Sequence, residues 1–173
     1  MRYGAGMQRA SLLAALCAFA ALSVAAESAT KEGADAGRAT PVSVAAASAA
    51  TPLLVALAQA EAAGTQPEGQ VFAGQFRAGQ TLEQPLLMLA GKCYTVVAAG
   101  VGVEKLEVKL VVKASPFLPP LVLAKSDSGG PSAVIGGKSS GCIANPQPIS
   151  GYATVVVTAV QGAGIAATQV LAK

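Results

Sequence analysis

Apolar and polar residues alternate along much of the second half of this chain. Residues 105–113 (KLEVKLVVK) place leucine or valine at every second position and charged side chains at most of the others. Successive side chains of a β-strand point to opposite faces, so this pattern predicts a strand with one buried and one wet face. Residues 152–160 (YATVVVTAV) are apolar at both sets of positions, which predicts a central strand covered on both faces. Tyr152 is accordingly expected in the core.

The spacing of turn-forming residues along the chain predicts the fold class. From residue 71 onward, short runs rich in valine, leucine and isoleucine alternate with clusters of Gly, Pro, Ser and Asn, and no stretch keeps a helical period. We predict an all-β domain over residues 70–173, an antiparallel two-sheet β-sandwich of about eight strands. The predicted strands are 71–76, 82–89, 93–99, 105–113, 121–125, 133–135, 152–160 and 165–171.

The first 26 residues have the organisation of a secretory signal peptide. A short basic segment, 1–9, precedes an apolar run, 10–22, and small residues then offer a cleavage site after Ala26. This predicts export through a Sec-type pathway, to the periplasm or outside the cell. No later apolar run approaches the roughly 20 residues of a membrane-spanning helix, so no span is expected after cleavage. Cys17 leaves one alternative open, a lipoprotein anchored to a membrane through this cysteine.

Residues 27–69 have the composition of a linker. They are rich in Ala, Ser, Thr, Gly and Pro with scattered charges, which offers little bulky apolar surface to bury. Thr51 as N-cap, Pro52 at the first helical position and Gly64 just past the end predict a short helix over 52–63 within it.

The composition argues against nucleic-acid binding and against most catalysis. Without the leader the chain carries ten basic and nine acidic residues, aromatic residues make up 4% of the whole chain, and tryptophan and histidine are absent. Nucleic-acid binders concentrate lysine and arginine and often add stacking aromatics, so no nucleic-acid partner is predicted. Histidine is the commonest general base and metal ligand. We therefore predict no enzyme, no cofactor and no metal.

One motif is formally catalytic. Residues 137–141 (GKSSG) match the G-x-S-x-G pattern of the hydrolase nucleophile elbow, with Ser139 as the nucleophile. That elbow needs a following helix and a histidine, and the sequence indicates neither, so a serine hydrolase stands as the less favoured alternative.

Two further features concern cysteine and lysine. Cys93 and Cys142 are the cysteines that remain after cleavage, and an even number in an exported chain predicts a disulfide, with free thiols or pairing to another chain as the alternatives. Lys105, Lys109 and Lys113 form a row on the wet face of their strand. This row is a candidate contact for an anionic polymer or surface, and a solvated face is the alternative.

The strand sequences together resemble a known family. Residues 78–82 (AGQTL), 89–97 (LAGKCYTVV), 106–110 (LEVKL) and 151–157 (GYATVVV) are similar to the strands of the bacterial pre-peptidase C-terminal domain. The resemblance covers about residues 70–173. It implies a jelly-roll sandwich and an accessory, non-catalytic role at the cell envelope or outside the cell. The partner, an envelope polymer, a surface or another exported protein, stays unknown.

Overall fold

The computed structural model describes residues 37–113, 119–126, 129–145 and 148–173. Their fold is mostly β with one short helix, which confirms the β-rich character of the predicted fold class. The elements are β1 (Thr40–Val42), α1 (Thr51–Glu61), β2 (Gln66–Pro67), β3 (Phe72–Phe76), β4 (Thr81–Met88), β5 (Cys93–Val112), β6 (Leu121–Lys125), β7 (Ser132–Ile135), β8 (Ile143–Ala144) and β9 (Gly151–Ala172). The predicted signal peptide and Cys17 lie outside the described residues.

Hydrogen bonding joins the nine strands into one antiparallel sheet rather than the two sheets predicted. Its main order is β1-β3-β9-β5-β6, with β2 and β4 added on β9 and β7 and β8 added on β5. Two long strands explain the difference. Residues 93–99 and 105–113, predicted as separate strands, are parts of the continuous β5, and 152–160 and 165–171 are parts of the continuous β9.

Glycines mark the place where β5 and β9 change direction together. The pairing between them is regular from Tyr94 to Val101 and again from Leu106 to Val111, with register shifts in between. Gly102 and Gly162 have φ values of +82° and +79°, which side chains disfavour. Register shifts of this kind bend the strands and increase the local twist of the sheet.

The bend divides the sheet into two parts. The helix-side half contains β1, β3, β7, residues 93–99 of β5 and residues 165–172 of β9, and the open half contains β4, β6, residues 106–112 of β5 and residues 151–159 of β9. One hydrophobic cluster contains residues of both halves, among them Val96 and Val108 of β5, each 0% exposed. Residues of both halves therefore belong to one core.

The helix covers the other side of the helix-side half. Leu54 of α1 packs in a second cluster with Val97, Ala99 and Leu171 of the sheet. As a result, β5 and β9 are buried on both faces in this half. None of the helices in the described residues is long and apolar enough to cross a membrane.

Part of the predicted linker belongs to this fold. β1 pairs with β3, and α1 occupies 51–61 where a helix over 52–63 was predicted. The helix begins after Ala50, and Thr51 provides no N-cap hydrogen bond. Small side chains explain why composition suggested a linker: Ala47 and Ala50 are almost completely buried against alanines of the sheet. Close packing of small residues replaces bulky ones here.

Candidate functional site

The open half has an outer face, which contains Tyr152, Thr154, Val156 and Thr158 of β9 and the residues beside them. On this face the structure differs most from the sequence prediction. Along residues 152–160 the odd positions Ala153 to Ala159 are buried, but Tyr152 is 74% exposed and Val160 is 39% exposed. The prediction that this strand is covered on both faces was therefore wrong, as was the expected burial of Tyr152. The reason is that α1 packs only on the helix-side half.

Strand register arranges this outer face in rows. At one end, Tyr152 lies beside Leu87 of β4. The next row contains Pro85, Thr154, Val111 and Val122, and the following one contains Glu83, Val156, Lys109 and Lys125. The last row pairs Thr81, Thr158 and Glu107. The face is thus apolar at the Tyr152 end and charged towards the bend.

Glu107 forms ion pairs with two lysines of this face. Its Oε1 lies 2.6 Å from Nζ of Lys109 and its Oε2 lies 2.7 Å from Nζ of Lys125, with 18% of its side chain exposed. Partial burial alone would raise the pKa of Glu107, but the two ammonium groups outweigh this effect and lower the pKa below its ordinary value. The trio carries one net positive charge.

The structure places the predicted row of lysines along the strand as the alternation indicated. Lys105 and Lys109 are half-buried at outward positions of β5, and Lys113 lies just past its end, two residues beyond Val111 and therefore towards Tyr152. In the described part of the chain, Lys105 and Lys113 make no ion pair, whereas Lys109 does. Over eight residues at about 3.3 Å each, the row spans roughly 25 Å.

The cysteine prediction is confirmed. Cys93 at the start of β5 and Cys142 just before β8 form a disulfide, with their Cα atoms 5.4 Å apart. β8 pairs with Cys93 and Tyr94, and the backbone of Lys173 exchanges two 3.0 Å hydrogen bonds with Cys93. The disulfide thus fastens the loop before β8 to the point of the sheet where backbone hydrogen bonds hold Lys173.

Ser139 lies in an exposed turn. The loop 137–141 is followed by β8 and not by a helix, and Ser139 shares a surface cavity with Ser140, Cys142 and Lys125. No carboxylate lines this cavity among the described residues. The buried end of the loop is held instead by Glu61, whose Oε2 accepts a 3.2 Å hydrogen bond from the backbone N–H of Lys138. The serine-hydrolase alternative stays a prediction.

Taken together, fold and surface define a small, mostly β module. A helix covers the helix-side half of its sheet, and the outer face of the open half is uncovered. No known protein family matches this chain, and no curated protein is similar to it in sequence.

Proposed function

We propose that this chain is an exported, non-catalytic module that binds an anionic polysaccharide through the outer face of the open half. The observation that carries the proposal is the combination of Tyr152, 74% exposed, with lysines that extend along the neighbouring strand. Exposed aromatic rings provide flat apolar surface for sugar rings, and lysines attract carboxylate or sulfate groups.

Charge favours an anionic partner. In the described residues, the lysines on and beside this face are Lys105, Lys109, Lys113 and Lys125, and they outnumber the neighbouring carboxylates Glu83, Glu104 and Glu107. Lys109 and Lys125 share Glu107 and keep one net positive charge between them, and the two lysines that make no ion pair in the described residues lie at the two ends of the row. A chain of repeated acidic units can reach both ends, whereas a single small anion cannot.

Two further observations support an exported accessory role. A disulfide is typical of proteins that fold in an oxidising compartment. The sequence contains no histidine, which leaves it without the commonest general base. The resemblance of residues 70–173 to the pre-peptidase C-terminal domain agrees with such a role. We also propose that the two halves of the bent sheet pack face to face as a jelly-roll-like sandwich, since residues of both halves share one hydrophobic cluster.

The experiment that tests this proposal is equilibrium binding to alginate, with dextran as the uncharged polymer. The wild-type protein should bind alginate, bind it more weakly as salt increases, and not bind dextran. The double variant Lys105→Glu/Lys113→Glu should lose most of this binding. Tyr152→Ser should weaken it at least threefold without a change in the salt dependence.

The matched control is Lys138→Glu/Lys173→Glu, which makes the same change in net charge at two exposed residues outside this face. The control should bind alginate like the wild type. Equal loss in both double variants would show that only net charge matters, and it would contradict a site on the open half.

A further inference from the structure

A groove lies on the helix-side half, between α1 and the last residues of β9. Its volume is about 450 Å³, and its walls are Leu54, Val55, Ala58 and Ala62 on the helix side and Val71 and Leu171 on the sheet side. No charged side chain lines it among the described residues. Thr51, Gln59 and Thr65 add polar groups to a lining that is otherwise mostly apolar, and the volume lies in the range of small-molecule sites.

The sequence of α1 explains why this space is open. Leu54 is the one side chain of the helix that is fully buried, and the next positions on the same side are Ala58 and Ala62. Protein interiors are normally close-packed, so a helix that closed against the sheet would carry larger residues there. Alanines at these positions leave a gap above Val71 and Leu171.

One buried polar group faces this apolar groove. Gln169 lies between Ala167 and Leu171 on the helix-covered face of β9, lines the groove, and is only 8% exposed. Its Nε2 donates to the backbone carbonyls of Val170, at 2.9 Å, and Gly69, at 3.4 Å. Since both partners are acceptors, they fix the orientation of the amide.

The carbonyl oxygen of this amide has no donor within the described residues. No described residue donates to Oε1 of Gln169, and no side-chain oxygen in the described part of the chain is both fully buried and unpartnered. Oε1 therefore keeps some accessible surface, and Gln169 is one of the residues that line the groove. An acceptor with so little exposed surface is stabilised when a hydrogen-bond donor meets it.

We propose that this groove binds a neutral, elongated aliphatic molecule that carries one hydrogen-bond donor, a hydroxyl or an amide N–H, which meets Oε1 of Gln169. The apolar walls account for the aliphatic part. The absence of a charged side chain in the lining favours a neutral ligand, because a buried charge without a partner is strongly disfavoured. This site lies on the helix-side half and does not depend on the polysaccharide proposal.

The test is a pair of titrations of the ¹⁵N-labelled protein, followed by amide chemical shifts. 1-Octanol carries the donor, and 1-methoxyoctane has a similar chain without it. Octanol should shift the amides of Ala58, Gly69 and Gln169 in a saturable manner, with at least fivefold higher affinity than the ether. Because both titrations use the unmodified protein, they do not depend on the folding of any variant.

Two variants locate the site. Ala58→Phe places a ring in the groove and should abolish the octanol shifts, whereas Ala60→Phe, an exposed position of the same helix that does not line the groove, should preserve them. Absence of saturable shifts, equal affinity for the two ligands, or shifts confined to the outer face of the open half would each overturn the proposal.

Discussion

Gly164 lies so close to the backbone of Val101 that a Cβ atom at residue 164 would overlap the Val101 carbonyl oxygen. The two residues belong to β9 and β5 at the place where both strands bend. Gly102 and Gly162, which flank this contact, have positive φ, and a Cβ there would lie 2.7 and 2.6 Å from the nearest backbone atom. Bare backbone at this crossing lets the two strands bend close together.

The first prediction concerns this crossing. Gly164→Ala should lower the free energy of unfolding by about 3 kcal/mol, because the added methyl group forces the two strands apart. Gly129→Ala is the control, since a Cβ there meets nothing within 4 Å and its φ is unexceptional. Chemical denaturation of both variants makes the comparison. Equal stability of the two would mean that the strands do not cross as closely as described.

The second prediction concerns the hydroxyl of Tyr94, a fully buried residue. It accepts a 2.7 Å hydrogen bond from the backbone N–H of Leu89 and donates to the carbonyl of Leu87 at 3.4 Å. Tyr94→Phe leaves the N–H of Leu89 without its acceptor and should cost about 1–2 kcal/mol in thermal or chemical unfolding. Tyr152→Phe removes an exposed hydroxyl and should stay within about 0.5 kcal/mol of wild type.

The third prediction concerns the disulfide. Cys93 and Cys142 are 49 residues apart, so their crosslink should contribute about 4 kcal/mol by restricting the unfolded chain. The double variant Cys93→Ser/Cys142→Ser should lose about that much stability in urea unfolding. Reducing agent should destabilise the wild type and leave the double variant unchanged. A wild type indifferent to reduction would show that the crosslink carries no stability.

The fourth prediction concerns pH. The folded-state pKa of Glu107 lies below its ordinary value of 4.5, because Lys109 and Lys125 stabilise the carboxylate more than burial disfavours it. Its contribution is therefore present above the unfolded-state pKa and is lost as the pH falls through the lower folded-state pKa.

Glu107→Gln removes this contribution. At neutral pH it should lower the free energy of unfolding by about 1 kcal/mol, since both lysines are partly exposed. The difference from wild type should shrink between pH 5 and pH 3, as followed by chemical denaturation at each pH. A difference that stays constant over this range would contradict the ion-pair interpretation.

The local alternation of apolar and polar residues was enough to predict several strands, and it predicted the buried face of residues 106–110 in β5. Leu106, Val108 and Leu110 are buried as the pattern required, and the spacing of the lysines on the other face follows from the same alternation. The disulfide followed from the number of cysteines and the predicted export of the chain. Each of these features depends on neighbouring residues or on composition.

Features that depend on distant residues were not predictable in this way. Glycines at 100, 102, 162 and 164 suggest turns in isolation, and only their pairing across two strands makes them a bend in continuous strands. The exposure of Tyr152 depends on where α1 docks, which the strand sequence does not encode. Gln169 gave no signal, because a glutamine in an apolar strand becomes informative only beside a groove.

The proposed function depends most on the outer face of the open half being uncovered, and Tyr152, which lies on this face, tests this directly against the buried Tyr94. Tyr94 is 0% exposed and Tyr152 is 74% exposed, and Tyr3 belongs to the predicted leader. Nitration of the native protein with tetranitromethane, mapped by peptide mass spectrometry, should modify Tyr152 rapidly and leave Tyr94 unmodified until the protein is unfolded. Protection of Tyr152 in the native monomer, or equal reaction of both tyrosines, would contradict an uncovered sheet face.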